Sequence, residues 1–109
     1  MRVVVHPAAD AELAEAVAYY TAIDLILGQR FYLEMKRLLQ EVCAHPRTFR
    51  QFDPPARRHF SPSFPYGVIY LELTDHLWIV AVMHLKRNPG YWKTRLEQPN
   101  SGLPARPLT

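Results

Sequence analysis

The sequence predicts an α+β fold in which an N-terminal strand and an antiparallel helical hairpin pack on a small, mainly antiparallel sheet. Three observations predict it. A β-branched run opens the chain, two stretches of helical apolar periodicity follow, and the second half carries runs rich in β-branched and aromatic residues. The 109-residue length suits one hydrophobic core. A content of 49% hydrophobic and 21% charged residues is that of a globular protein. Residues 1–95 are expected to form the single domain, and residues 96–109 a flexible tail.

Arg2 to Val5 reads as a strand, ended by His6-Pro7. Pro7 suits the first turn of a helix, where its missing N–H has no intrahelical partner. In the alanine-rich segment that follows, Leu13, Ala16, Val17 and Tyr20 share one helix face. Asp10, Glu12 and Glu15 lie near the positive end of that helix dipole. A second helix starts after Asp24, an N-cap residue type, and repeats Phe31, Met35, Leu38 and Val42 along one face. His45-Pro46 ends it, because the residue before proline is pushed out of the α region. The short link makes the two helices an antiparallel hairpin.

Residues 46–55, PRTFRQFDPP, read as a loop, and Arg57 to Phe60 as a strand interrupted by Ser61-Pro62-Ser63. Tyr66 to Leu73 and Leu77 to His84 are two strands joined through Thr74-Asp75-His76, a connection short enough for a hairpin. Both strands are apolar on both faces, so the sheet must be covered on both sides. The helical hairpin covers one. The other needs the chain's own C-terminus, a second copy or a partner. The tail LEQPNSGLPARPLT has no periodicity and is expected to be extended or disordered.

Several functional classes are set aside by composition. No apolar run approaches the roughly 20 residues of a membrane span, and MRVVVHPAAD is too short in apolar residues for a signal peptide. A cytoplasmic location, without membrane association, is the expectation. Cys43 is the only cysteine, which leaves no internal disulfide or cysteine-based metal site, and its helical context reads as core. Residues 1–45 hold four basic and six acidic groups, a net of −2, whereas residues 46–109 hold nine and four, a net of +5. The second half is therefore the side that attracts an anionic partner.

No glycine-rich phosphate loop, HExxH motif or paired-carboxylate signature is present, and no metal or cofactor is expected. What remains is basic and aromatic: Arg57, Arg58 and His59 on one strand, and His84, Lys86, Arg87, Tyr91, Trp92, Lys93 and Arg95 after another. Guanidinium groups pair with phosphate, aromatic rings stack on unpaired bases, and histidine can move a proton near neutrality. Such groups suit metal-free RNA cleavage. They equally suit gripping an acidic protein surface. Trp92 and Tyr91 can also pack on the sheet, and adjacent Arg57 and Arg58 point to opposite faces of a strand.

The order of elements resembles the RelE/ParE superfamily of toxins from type II toxin–antitoxin systems, which includes plasmid-stabilisation proteins. The matching pieces are AVAYY, LGQRF, the helix end at Pro46, FPYGVIY and AVMHLKRNPGYW, which together span about residues 2–95. The resemblance implies a compact toxin in a hetero-oligomer with an antitoxin whose DNA-binding part represses the shared operon. RelE-like members cleave mRNA on the ribosome, and ParE-like members poison DNA gyrase without that active site. In the ribonuclease branch an arginine precedes the apolar part of the strand matching FPYGVIY; here Gly67 stands there.

Three functions follow from the resemblance. The preferred one is a ParE-like growth inhibitor that binds a target such as gyrase without turnover, through His84, Lys86, Arg87, Tyr91, Trp92 and Arg95. The alternative is a ribosome-dependent endoribonuclease with His84 as general base, Arg87 and Arg58 stabilising phosphorane charge, and Tyr91 orienting a base or donating a proton. The third is a degenerate, non-toxic binding module.

Overall fold

A computed structural model describes residues 2–97 of the chain. The elements run β1 (Arg2–Val5), α1 (Pro7–Ile23), α2 (Leu25–Ala44), β2 (Gln51–Asp53), β3 (Ala56–Phe60), β4 (Tyr66–Glu72), β5 (His76–His84) and α3 (Thr94–Glu97). The strands form one five-stranded sheet in the order β1-β5-β4-β3-β2, with β1 parallel to β5 and the other neighbours antiparallel. This is the predicted α+β architecture, with β2 added at one edge.

The helical hairpin is built by two caps. His6 Nδ1 accepts from Ala8 N at 3.0 Å, with Pro7 in the first turn behind it. Asp24 serves both helices. Its N–H donates to the Tyr20 carbonyl at the end of α1, and its Oδ1 accepts from Ile26 N and Leu27 N at 2.8 and 3.1 Å at the start of α2. With one residue between them the helices must fold back on each other. Gly28 lets them close: a Cβ there would overlap the side chain and Cα of Thr21.

Phe31, Met35, Leu38 and Val42 of α2 are buried against Val68, Tyr70, Leu77, Ile79 and Val82 of the sheet. Leu13, Val17 and Tyr20 of α1 pack beside them. A second cluster occupies the opposite sheet face, where Ala56, Ile69, Leu71, Val80, Ala81, Met83 and Trp92 are buried together. Tyr91 and Leu96 pack against that cluster. The chain's own C-terminal segment thus covers the second face, the first of the three covers the sequence leaves open. Helix α3 runs from Thr94 to Glu97, across the expected boundary at residue 95. The tail expected to be flexible lies, from residue 98, outside the described residues.

A bulge in the β4–β5 ladder decides which side chains share a face. Ile69 pairs with Ala81 but Tyr70 pairs with Ile79, so Val80 is the extra residue. Among the described residues no helix is long and apolar enough to cross a membrane.

Candidate functional site

Strand β1 stops alongside Ile79, so β5 runs on from Val80 to His84 beyond its parallel neighbour. Unpaired backbone on such an edge attracts stray strands. Two side chains meet it here. Glu12 Oε1 accepts from Val82 N at 3.1 Å, and Arg95 Nη1 donates to the Val80 carbonyl at 2.8 Å. The same two residues form a two-armed ion pair, Arg95 Nη1 to Glu12 Oε1 and Nη2 to Oε2, each 2.9 Å. Tyr91 donates its phenol to Glu12 Oε2 at 2.6 Å. Glu12 and Arg95 side chains are each only 14% exposed, so the pair is desolvated and its geometry is held.

The environment shifts the partners accordingly. Burial pushes the Tyr91 phenol well above its usual range, and the carboxylate of Glu12 pushes it further. Burial works against the Arg95 charge, but the bonds and attraction of Glu12 outweigh it and leave the guanidinium more firmly protonated.

Between His84 and Arg95 the chain is a series of turns with local bonds. Lys86 N donates to His84 Nδ1 at 3.0 Å, Arg87 N to the His84 carbonyl at 3.0 Å, and Gly90 N to Asn88 Oδ1 at 3.0 Å. Lys86 and Arg87 are exposed. The Arg87 guanidinium lies 3.9 Å from the centre of the Tyr91 ring, a cation–π contact. Lys93 pairs with Asp53 at 2.6 Å.

The candidate residues do not all meet. His84 packs its ring on Tyr66, on the helix side of the sheet, at a centroid distance of 4.9 Å. Arg58 lies on the other face, beside the rings of Phe52 and Phe60 at 5.0 and 5.2 Å. His59, its neighbour, reaches α2 through Glu41 at 2.7 Å, as strand alternation requires. The grouping of Arg58 with His84 around one phosphate is therefore corrected: the sheet separates the two, whereas Arg87 lies on Tyr91, which packs against the face that holds Arg58. Trp92 is 1% exposed and donates Nε1 to the Pro89 carbonyl at 2.7 Å, which makes it core and removes it from the binding surface. Arg95 is turned inward onto Glu12. Among the target-binding candidates, Lys86 and Arg87 face solvent, with His84 and Tyr91 half-buried beside them.

Gly67 has a steric reason. It pairs with Phe60, and a Cβ at 67 would penetrate the Phe60 ring. An arginine side chain at this position requires Phe60 to leave. Glu12 is the residue the sequence did not single out for the site. Its signal was its place on the inward face of α1, between Ala9 and Ala16, which are 0% and 4% exposed.

His6 lies close enough to feel the pair. Burial lowers its pKa, the Arg95 charge lowers it further, and Glu12 partly offsets this. Neutral His6 is thus the folded form, with Nδ1 free to cap α1. The unfolded chain takes up the proton near the usual value of 6.5. Stability contributed by neutral His6 should be complete above that pH and lost as the pH falls below it. Glu34 and Glu41, held low chiefly by hydrogen bonds from Arg37 and His59 respectively, lose their contribution only in a more acidic window, below about 4.5. Urea unfolding from pH 8 to 5 should show the upper step, and His6→Asn, which keeps a capping side chain, should flatten it. A wild-type profile level across this range would contradict the His6 assignment.

The hairpin tip carries apolar surface of its own. Tyr19, Ile23, Leu25, Ile26 and Leu33 are 60–65% exposed. A groove of about 410 Å³ between the helices is lined by Val17, Thr21, Gly28, Gln29, Tyr32 and Leu33.

A helical hairpin on a five-stranded mixed sheet, closed by a basic and aromatic C-terminal segment, defines a small toxin of the RelE/ParE class. The family model for the ParE toxin of type II toxin–antitoxin system, parDE, matches residues 3–89, and the chain belongs to this family. No curated protein matched the chain.

Proposed function

We propose that the protein is a ParE-like toxin that arrests growth by binding a cytoplasmic target such as DNA gyrase, without chemical turnover, until a cognate antitoxin neutralises it. The observation that carries this reading is the surface at Lys86 and Arg87, two exposed cations on a bonded turn. Such a surface suits an anionic patch on a macromolecule. The ribonuclease reading has less support, because Arg58 and His84 lie on opposite faces and Phe60 occupies the space an arginine at 67 would need. The apolar hairpin tip and its groove suit a helix of the antitoxin, since apolar patches of this kind are ordinarily covered.

Induced expression without antitoxin, followed by plasmid supercoiling and assays of DNA cleavage complexes with purified gyrase, tests the target. Growth arrest with loss of supercoiling is the expected result. Unchanged supercoiling with new mRNA ends in translating cells would replace this reading by RNA cleavage. Arg87→Ala should weaken growth inhibition while changing unfolding free energy by no more than about 0.5 kcal/mol, as for other exposed positions. Full toxicity of that variant would remove Arg87 from the target surface.

A further inference from the structure

We infer that Glu12 is a positioning residue for the target-binding surface, holding Arg87 in place through the Tyr91 ring. The inference deepens the reading above and rests on it for its functional consequence.

Arg87 is an exposed arginine, and a long exposed side chain ordinarily samples many rotamers, which weakens any contact that must first immobilise it. Here its guanidinium lies 3.9 Å from the centre of the Tyr91 ring. A ring can orient a cation only if the ring itself is fixed. Tyr91 is fixed at its far end, where the phenol donates to Glu12 Oε2 at 2.6 Å. Glu12 is in turn unable to rotate. One oxygen accepts from the β5 backbone at Val82 N, and both oxygens accept from the Arg95 fork. The linkage therefore runs from the first helix and the sheet edge, through a buried carboxylate and a phenol, to the surface cation.

The arrangement is more elaborate than core closure requires. Trp92 already seals the second cluster, with its own bond to the Pro89 carbonyl. The phenol of Tyr91 adds a defined ring position, and that position is the one Arg87 uses. Arg95, 5.0 Å from the centre of the same ring, occupies Glu12 and leaves Arg87 free to project. Of the residues involved, Glu12 and Arg87 lie within the family match at 3–89, whereas Tyr91 and Arg95 lie beyond it. The linkage ties the first helix to the C-terminal segment that closes the sheet.

Tyr91→Phe separates positioning from folding, because it deletes the hydroxyl and keeps the ring and the Glu12–Arg95 pair. Glu12→Gln is the second variant, removing the charge and keeping an acceptor. NMR relaxation of the Arg87 Nε–Hε group measures the positioning without reference to any target. Both variants should lower its order parameter, and in Tyr91→Phe, which leaves the Glu12 bonds to Val82 N and Arg95 in place, the β5 backbone values should stay unchanged. Growth inhibition by Tyr91→Phe should then require about three- to tenfold more induced protein, the size expected when part of a charge-assisted hydrogen bond is lost. In a double-mutant cycle, Tyr91→Phe should add little to Arg87→Ala. An unchanged Arg87 order parameter in Tyr91→Phe overturns the inference. So does a lowered order parameter with undiminished toxicity in a background where Arg87→Ala is inactive. Full toxicity of Arg87→Ala is the distinct outcome that overturns the target-surface reading, and the functional role of Glu12 with it.

Discussion

Trp92→Ala is expected to lower the unfolding free energy by about 3–5 kcal/mol, the range for truncating a buried large aromatic residue. Trp92 is 1% exposed in the second cluster, edge-on to Phe52 at a centroid distance of 5.8 Å. Its truncation opens a cavity among Ile69, Val80, Ala81 and Met83, which share that cluster, and leaves the Pro89 carbonyl without its indole donor. The surrounding strands cannot collapse inward to fill the space, because β4 and β5 are held by Phe31, Leu38 and Val42 on the opposite face. Trp92→Phe should recover most of the loss, since it restores ring volume and lacks only the hydrogen bond. Equilibrium urea unfolding measures both. A Trp92→Ala protein within about 1 kcal/mol of wild type would mean that the C-terminal segment does not close the sheet.

That closure marks the boundary of what periodicity can reveal. The helix faces were legible because Leu13, Ala16, Val17, Tyr20 and Phe31, Met35, Leu38, Val42 recur with helical spacing, and all eight pack into the first cluster. Tyr91, Trp92 and Leu96 follow no period, so the side they cover could not be read from their spacing. Strand β2 escaped notice for a related reason. Gln51–Asp53 has one apolar residue in three and sits next to two prolines, Pro54 and Pro55, which read as loop.

The candidate site was legible in its residue types and not in its geometry. Strand alternation alone does place Arg57 and Arg58 on opposite faces, and the structure uses both, with Arg57 bonded to the Phe49 carbonyl at 2.9 Å and Arg58 set against Phe52 and Phe60. Deciding which of them shares a face with His84 requires knowing the bulge at Val80. One unpaired residue reverses the parity of every later side chain on β5. Glu12 was hidden by distance, since its partners Tyr91 and Arg95 lie 79 and 83 residues along the chain. An acid on the inward face of a helix, between two buried alanines, states that a partner is needed without naming it.

Glu12→Ala should be as damaging as the loss of Trp92, at about 3–5 kcal/mol, because it leaves one member of a buried pair without compensation. The Arg95 side chain, 14% exposed, keeps its charge and loses both arms of the carboxylate. Tyr91 OH and Val82 N lose their acceptor in the same step. The size of the effect comes from these stranded groups more than from the strength of the pair, so a second substitution that removes the stranded charge should help. Glu12→Ala combined with Arg95→Met is therefore expected to be more stable than Glu12→Ala alone, although Arg95→Met also gives up the bond to the Val80 carbonyl. Arg95 is also expected to resist any simple exchange for lysine, whose single ammonium cannot span both oxygens of Glu12 and reach the strand edge. Denaturant unfolding of the two single variants and the double variant gives the coupling directly. Additive losses in that cycle would show that Glu12 and Arg95 act separately, and the sheet edge beyond β1 would then need another account of what shields it.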